Sequence, residues 1–169
     1  PYLPQALRAR EYLIKGLKKK IQVRRAGIPV LSAVHDLRVE GVDRLENLYF
    51  THRGKSKSLE VDTLLLHEGV VSNTQLTRQL GCDHDWYELQ SYWHPLLDEW
   101  GNTSVEGVAV AGDGGIVAGA LIAEASGHLA ALEATYQLDK ISRRRRDEDA
   151  RIFRKKINYH QAIRPFLEH

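Results

Sequence analysis

The chain has 169 residues, of which 43% are hydrophobic and 27% are charged, a composition typical of globular proteins large enough to bury a core. Its formal net charge of +2 gives no strong field that would attract nucleic acid or an anionic membrane. No apolar run approaches the roughly 20 residues that a membrane-spanning helix needs. The single cysteine, Cys82, excludes an internal disulfide. The expected compartment is therefore the reducing cytoplasm, with any membrane association made through partners.

The N-terminal part of the chain predicts a helix followed by a strand. Residues 4–26 carry apolar side chains at helical spacing, and Gly27 indicates where this helix ends. The predicted apolar face of the helix comprises Leu7, Ile14, Leu17 and Ile21. The short β-branched stretch at residues 30–34 (VLSAV) is typical of a buried strand.

A meander of strands is predicted next, over residues 37–53, where Leu48 and Phe50 alternate with more polar neighbours. The polar stretch HRGKSKS predicts a hairpin loop, and residues 59–66 predict a further strand pair that ends in the apolar run TLLL. Because a helix between strands indicates a parallel sheet, we expect an α/β fold with parallel strands, a small antiparallel meander and flanking helices.

The second half of the chain predicts one more strand and two helices. Residues 105–111 (VEGVAVA) are typical of a strand buried on both faces, and the sequence GDGG interrupts the run. Residues 119–138 predict a long helix, and the charged tail from Ile141 is predicted to be helical. The long helix has a face of small residues, which lets a helix lie close to a sheet or a cofactor: Ala120, Ala123, Gly127, Ala130 and Ala134.

The Gly-Asp pair at the end of the predicted strand indicates a ligand site. Gly112 allows a sharp turn and the close approach of a ligand. Asp113 offers two acceptor oxygens at the carboxyl end of the strand, where open α/β sheets bind ligands. The free N–H groups at the start of the next helix favour an oxygen-rich ligand. The alternative is that Asp113 only caps the helix or forms the turn. The combination of strand, turn and small-faced helix favours the ligand site.

The stretch TSVEGVAVAGD, residues 103–113, resembles the second FAD-binding signature of the pyridine-nucleotide-disulfide oxidoreductase superfamily. The resemblance implies a two-dinucleotide-binding-domain flavoprotein fold, FAD as cofactor with NAD(P) as a further candidate, and an FAD ribityl chain hydrogen-bonded to Asp113. Residues 61–76 (VDTLLLHEGVVSNTQL) resemble the segment that returns from the NAD-type domain to the FAD domain, with Ser72 where proline is usual. The residues that the resemblance assigns to cofactor binding are Gly69, Gly112, Asp113, Gly119 and Ala120.

The stretches HEGVVSNTQLTRQLGCDHDW and WHPLLDEWGNTS carry a narrower resemblance, which covers nearly the whole chain. They are similar to the α-subunits of bacterial opine oxidases, D-hydroxyproline dehydrogenases and hydrogen cyanide synthase. In that family the α-subunit works beside a second flavoprotein subunit that oxidises an amine or an amino acid of the opine, hydroxyproline or glycine class.

The resemblance also implies a division of the chain. Residues 1–77 would be the second half of an NAD(P)-type nucleotide-binding domain, residues 78–140 the C-terminal part of an FAD-binding domain, and residues 141–169 a charged helical extension. The GxGxxG phosphate-binding loops of such subunits do not occur in this sequence. We therefore expect a C-terminal part that is inactive alone, binds FAD poorly and self-associates through unpaired strand edges.

Several alternatives stay open on the sequence. The first alternative is an NAD(P)H-dependent FAD reductase without a redox disulfide. The second is a non-catalytic module that assembles other subunits.

A metal site is a weaker hypothesis. The residue types of Cys82, His84, Asp85 and His94 can bind metals, but their spacing matches no standard site. Cys82 has no second cysteine with which to form a redox disulfide, so we expect it to take no part in electron transfer. The arginine run at residues 143–146 is followed at once by acids, which favours a solvated helix face over nucleic-acid binding, with a docking surface for the partner subunit as the second interpretation.

Overall fold

The computed structural model describes residues 10–167. The chain divides into two compact units, of which the smaller is Lys15–Gly69 and the larger comprises residues 10–14 and 70–167. Each unit is described by itself. Four of the five predicted cofactor-binding residues lie in the larger unit, and Gly69 is the last residue of the smaller one.

Helix α1 spans Arg10–Arg25, which confirms the predicted helix for the part of the chain that the structure describes. Gly27, at φ +70°, ends it with a backbone hydrogen bond to the last turn, as predicted. No residue of α1 is buried, and Leu7 lies outside the described residues. The other side chains of the predicted apolar face are exposed: Ile14, Leu17 and Ile21.

The smaller unit contains a three-stranded antiparallel sheet. Its strands are β1 (Val34–Glu40), β2 (Asn47–His52) and β3 (Lys55–Glu60), paired in the order β1-β2-β3. Leu48 and Phe50 of β2 are buried, and the residues beside them are only partly so, which confirms the predicted alternation. The predicted hairpin loop at residues 52–58 is confirmed only in part, because the turn is Arg53-Gly54 and residues 55–58 belong to β3.

Two strand predictions in this unit were wrong. Residues 30–33 belong to no strand, and Val30 is 76% exposed. The predicted strand pair at residues 59–66 stops with β3 at Glu60, and Leu65 is 89% exposed. A buried parallel strand needs hydrogen-bonded neighbours and covering layers on its faces. Residues 10–167 supply neither the neighbouring strands nor the covering layers for these two apolar runs. All strand pairs within residues 10–167 are antiparallel, so the predicted parallel strands are absent from them.

The larger unit combines one small hairpin with helices. Its first elements are helix α2 (Gln75–Gln79) and the antiparallel strands β4 (His84–Tyr87) and β5 (Tyr92–Pro95). A 3-10 turn at Gly112–Gly114 precedes helices α3 (Ala120–Gln137), α4 (Arg143–Gln161) and α5 (Arg164–Leu167). Helices α3 and α4 confirm the long helix and the helical tail that the sequence predicts.

The buried strand predicted at residues 105–111 is absent. These residues form an irregular loop, and their one backbone pairing is an isolated antiparallel bridge between Asn102 and Ala109. The apolar composition of the run is sufficient for a strand, but no described neighbour is placed to pair with it along its length. The observed class is thus α/β, with small antiparallel sheets and flanking helices. The two-dinucleotide-domain fold and the proposed domain boundaries stay predictions.

Helices α3 and α4 pack around a buried cluster of Trp100, Leu129 and Ala150. Beside this cluster, Nη1 of Arg146 lies 2.6 Å from Oε2 of Glu133, and the two side chains are only 9% and 10% exposed. The guanidinium of Arg146 also lies 4.1 Å from the centre of the Trp100 ring. A charge that leaves water is tolerated only when it is paired, so the Arg146–Glu133 contact ties α4 to α3.

The three arginines before Arg146 lie on the exposed surface of α4. Each pairs with an acid four residues later: Arg143 with Asp147 at 3.8 Å, Arg144 with Glu148 at 2.9 Å and Arg145 with Asp149 at 2.6 Å. The prediction of a solvated helix face therefore fits these three arginines and is wrong for Arg146, which is buried. Within residues 10–167, no helix has the length and apolarity to cross a membrane.

Replacing Glu133 by leucine removes the buried partner of Arg146, which then keeps only the half-exposed Asp147, 2.7 Å away, as an ionic partner among residues 10–167. We expect Glu133→Leu to lower the free energy of unfolding by up to about 3 kcal/mol, because Asp147 compensates part of the lost pairing. Urea unfolding followed by tryptophan fluorescence measures this loss.

The matched control is Asp149→Ala, which breaks the exposed pair with Arg145 and should leave the free energy of unfolding almost unchanged. Adding Arg146→Met to Glu133→Leu should restore most of the lost stability, because no charge then stays buried. Equal losses in Glu133→Leu and Asp149→Ala would contradict a special role for the buried pair.

Candidate functional site

The site is built around the 3-10 turn at Gly112–Gly114, called here the Gly-Asp turn. Gly112 has φ +69°, in the left-handed region that favours glycine. It also lies against helix α3, because a Cβ on Gly112 would stand 3.6 Å from Cβ of Ala123. The N–H of Gly112 donates to Oγ of Ser126 at 2.9 Å, and that Oγ donates to the carbonyl of Ala123 at 2.9 Å. The turn is thus fixed to the second turn of α3.

The carboxylate of Asp113 is exposed and has no hydrogen-bonding or ionic partner among residues 10–167. It does not cap helix α3, because the N-cap residue is Gly119, at φ +98°, and no side chain caps that end. It also makes no bond that would stabilise its own turn. The alternative interpretation of Asp113 as a helix cap is therefore wrong, and its two acceptor oxygens face solvent.

The loop at residues 115–118, between the Gly-Asp turn and α3, is held by three side chains from elsewhere in the unit. The hydroxyl of Ser72 donates to the carbonyl of Gly115 at 3.1 Å. The N–H of Val117 donates to the phenol oxygen of Tyr92 at 3.1 Å, and Nη2 of Arg164 donates to the Val117 carbonyl at 3.0 Å. We call this segment the anchored loop.

The sequence did not reveal these anchors. In the sequence, Ser72 stands out only because proline is usual at its position. In the structure, Ser72 is buried and its hydroxyl donates to the carbonyl of Gly115. The one available signal was that a polar residue replaces an apolar one in an otherwise apolar segment. Tyr92 and Arg164 lie too far along the chain for any spacing rule to connect them with the loop.

A cleft of about 250 Å³ opens beside the Gly-Asp turn. Its lining includes glycines and alanines, whose small side chains leave the backbone accessible, as well as two large apolar residues. These are Gly112, Gly115, Ala118, Ala123, Trp100 and Leu129. Binding pockets for whole small molecules usually measure about 300–1,000 Å³. The cleft is therefore large enough for one part of a dinucleotide and too small for all of it.

The predicted cofactor-binding residues are only partly brought together. Gly112 and Asp113 form the turn, Gly119 caps α3, and Ala120 is exposed in its first turn. The amide N–H groups of Ala120 and Leu121 have no partner among residues 10–167, as expected at a helix start. Gly69, at φ +97°, is exposed and belongs to the other unit.

The loop that forms one wall of the cleft is organised by Asp98. Its Oδ1 accepts the N–H groups of Trp100 at 2.8 Å and Asn102 at 2.9 Å, and its Oδ2 accepts the side-chain amide of Asn102 at 2.9 Å. Partial burial by itself raises the pKa of Asp98, but the hydrogen bonds from Asn102, Trp100 and Gly101 outweigh it and hold the pKa below its usual value. The ionised carboxylate therefore favours the folded loop.

The residues considered as metal ligands are engaged elsewhere. Cys82 is buried, and its Sγ lies 3.5 Å from Oγ1 of Thr103. The ring nitrogens of His84 lie 2.9 Å from Oγ1 of Thr77 and 2.8 Å from the Cys82 carbonyl. Among residues 10–167, no three potential ligands lie close enough to hold a metal ion.

Comparisons with known proteins confirm the predicted resemblance to opine oxidases. The A subunit of the Rhizobium meliloti opine oxidase is 36% identical over 83% of this chain, and that of Rhizobium meliloti strain 1021 is 37% identical over 99% of it. The corresponding protein of Agrobacterium tumefaciens strain Ach5 is 35% identical over 78% of the chain. The chain spans only 26% to 36% of the length of these relatives. No protein-family model and no solved structure matches it.

The pKa of Asp98 makes a prediction about acid stability. Because the folded pKa is lowered, the carboxylate stabilises the folded state above its unfolded pKa of about 4, and this contribution is lost as the pH falls through the folded value. Asp98→Ala should therefore be less stable than the wild type by a constant amount from pH 5 to 8, and the difference should shrink in the acid range below about pH 4. Urea unfolding across a pH series measures it, and a difference that grows on acidification would contradict the assignment.

Proposed function

We propose that this chain, a relative of the opine oxidase A subunits, is part of an FAD-dependent oxidoreductase that acts with a second flavoprotein on an amine or amino-acid-type substrate. The observation that carries the proposal is the exposed carboxylate of Asp113, which has no partner within residues 10–167 and directly follows Gly112, a lining residue of the cleft. A carboxylate in this state is a strong acceptor for hydroxyl groups such as those of a ribityl chain.

The residues of the site fit one part of FAD. Asp113 would accept hydrogen bonds from ribityl hydroxyls, and the free amides of Ala120 and Leu121 would face oxygen-rich atoms of the cofactor. Gly112 and Ala123 keep side-chain bulk out of the cleft. When bound, the flavin supplies the hydride chemistry, and this chain orients it. The size of the cleft supports a partial site, completed by residues outside those described.

The substrate class rests on the relatives. The three similar proteins are all named as part of an opine oxidase, so opines are the first substrates to test. The hydroxyproline and glycine classes follow from the wider resemblance. NAD(P)H is kept as an alternative electron donor, and reduction of the flavin by NADH without any amine substrate would favour it.

Removing the carboxylate of Asp113 should weaken flavin binding. Hydrogen bonds to a charged acceptor contribute about 1.5–3 kcal/mol, so Asp113→Ala in the intact protein should raise the flavin Kd by roughly tenfold or more. Fluorescence titration of the flavin-free protein with FAD measures this change. Glu106→Ala is the matched control, because Glu106 is also exposed and makes no hydrogen bond or ion pair within residues 10–167. Equal Kd values for wild type and Asp113→Ala would contradict the assignment of Asp113 as a flavin-binding residue.

The names of the relatives, each an A subunit of an oxidase, predict a partner subunit. Affinity purification of the intact protein from its own cells should recover a second flavoprotein at a fixed ratio. Oxidation of an opine should then require both proteins. Turnover of an opine by the intact protein alone would argue against the two-subunit proposal.

A further inference from the structure

Ser126 connects helix α3 to the Gly-Asp turn. It lies seven residues into α3 and is partly buried beside the cleft. Its Oγ is 2.9 Å from the N of Gly112 and 2.9 Å from the carbonyl oxygen of Ala123. A single hydroxyl therefore bonds both the helix that carries it and the turn that carries Asp113.

The directions of these two hydrogen bonds are fixed by chemistry. The carbonyl of Ala123 can only accept, so it takes the one hydroxyl proton of Ser126. The N–H of Gly112 can only donate, so it donates to a lone pair of the same Oγ. Both capacities of the hydroxyl are used in one orientation, and a side chain without a hydroxyl at this position would leave the Gly112 N–H without its partner.

The turn needs such a support because Asp113 has none of its own. The carboxylate makes no bond to residues 10–167, so its position is set only by the backbone of the turn. The backbone in turn depends on Gly112, which adopts a left-handed φ of +69° without strain but, as glycine, has many other conformations open to it. The contacts of Gly112 with Ser126 and Ala123 provide that support.

We propose that Ser126 is a positioning residue of the cofactor site, which fixes the Gly-Asp turn on α3 and so holds the Asp113 carboxylate where it accepts flavin hydroxyl groups. This inference rests on the proposed function. It assigns part of the affinity for flavin to the hydrogen bond that Ser126 accepts from the turn and not to a direct contact, although Ser126 also lines the cleft. Preorganisation of this kind increases affinity because the turn is ordered before the ligand arrives.

The test compares three variants of α3 in the intact protein by titration with FAD. Ser126→Ala should raise the flavin Kd by about five- to tenfold, the effect of one hydrogen bond. Ser126→Thr keeps a hydroxyl that can bond the preceding turn of the helix and should bind within about twofold of the wild type. Thr135→Ala is the matched control, because Thr135 Oγ1 donates to the Ala131 carbonyl on the same helix at 2.6 Å and does not contact the turn.

A double-mutant cycle separates positioning from general stability. If Ser126 acts through Asp113, Ser126→Ala combined with Asp113→Ala should bind flavin no more weakly than Asp113→Ala alone. Thermal melting of the flavin-free variants shows whether the fold is retained. Should Ser126→Ala fail to fold, Gly112→Ala strains the same turn from its other side and should show the same lack of additivity with Asp113→Ala.

The outcomes distinguish the two claims. If Asp113→Ala weakens flavin binding while Ser126→Ala leaves it unchanged, or if their effects multiply, the positioning role is wrong and the cofactor site stands. If Asp113→Ala has no effect, the cofactor site is wrong and the role of Ser126 falls with it. If Thr135→Ala weakens binding as much as Ser126→Ala, the effect belongs to the helix as a whole and the positioning role is again wrong.

Discussion

The larger unit depends on one buried guanidinium. Arg146 lies between the carboxylate of Glu133 and the ring of Trp100, and the same ring lies 4.4 Å from the guanidinium carbon of Arg154. Trp100 is therefore enclosed by two cations from α4 while it also lines the cleft. The cation–π contacts and the ion pair thus join α3, α4 and one wall of the cleft, and together they position that wall against the helices.

The opposite side of the cleft is organised by hydrogen bonds to the backbone. The Gly-Asp turn is bonded through Ser126, and the anchored loop through Ser72, Tyr92 and Arg164. Irregular backbone satisfies only some of its N–H and carbonyl groups with itself, so side chains bond several of the others. Polar side chains from several parts of the unit thus take the place of a sheet in positioning the loop before α3.

The sequence predicted the elements whose signals are local. The long helix and the helical tail follow from the residue pattern, and the strand β2 of the smaller unit follows from the alternation around Leu48 and Phe50. The apolar runs at residues 30–34 and 105–111 did not become buried strands, because a strand depends on neighbours that a local pattern cannot supply. The same limit applies to the site. Asp113 was identified from its own neighbourhood, whereas the partners that hold its loop are separated from it by tens of residues.

The four consecutive arginines of α4 have two electrostatic environments. Arg143, Arg144 and Arg145 pair with acids in open water, where mobile ions screen such attraction over about 10 Å at 0.1 M salt. Arg146 also pairs with the half-exposed Asp147, but its contact with Glu133 is buried, where salt screens much less. Ionic strength therefore weakens the ion pairs on the outer surface of α4 far more than the Arg146–Glu133 contact. Salt would weaken the exposed pair between Lys156 and Glu124, but the buried contact still holds α4 to α3.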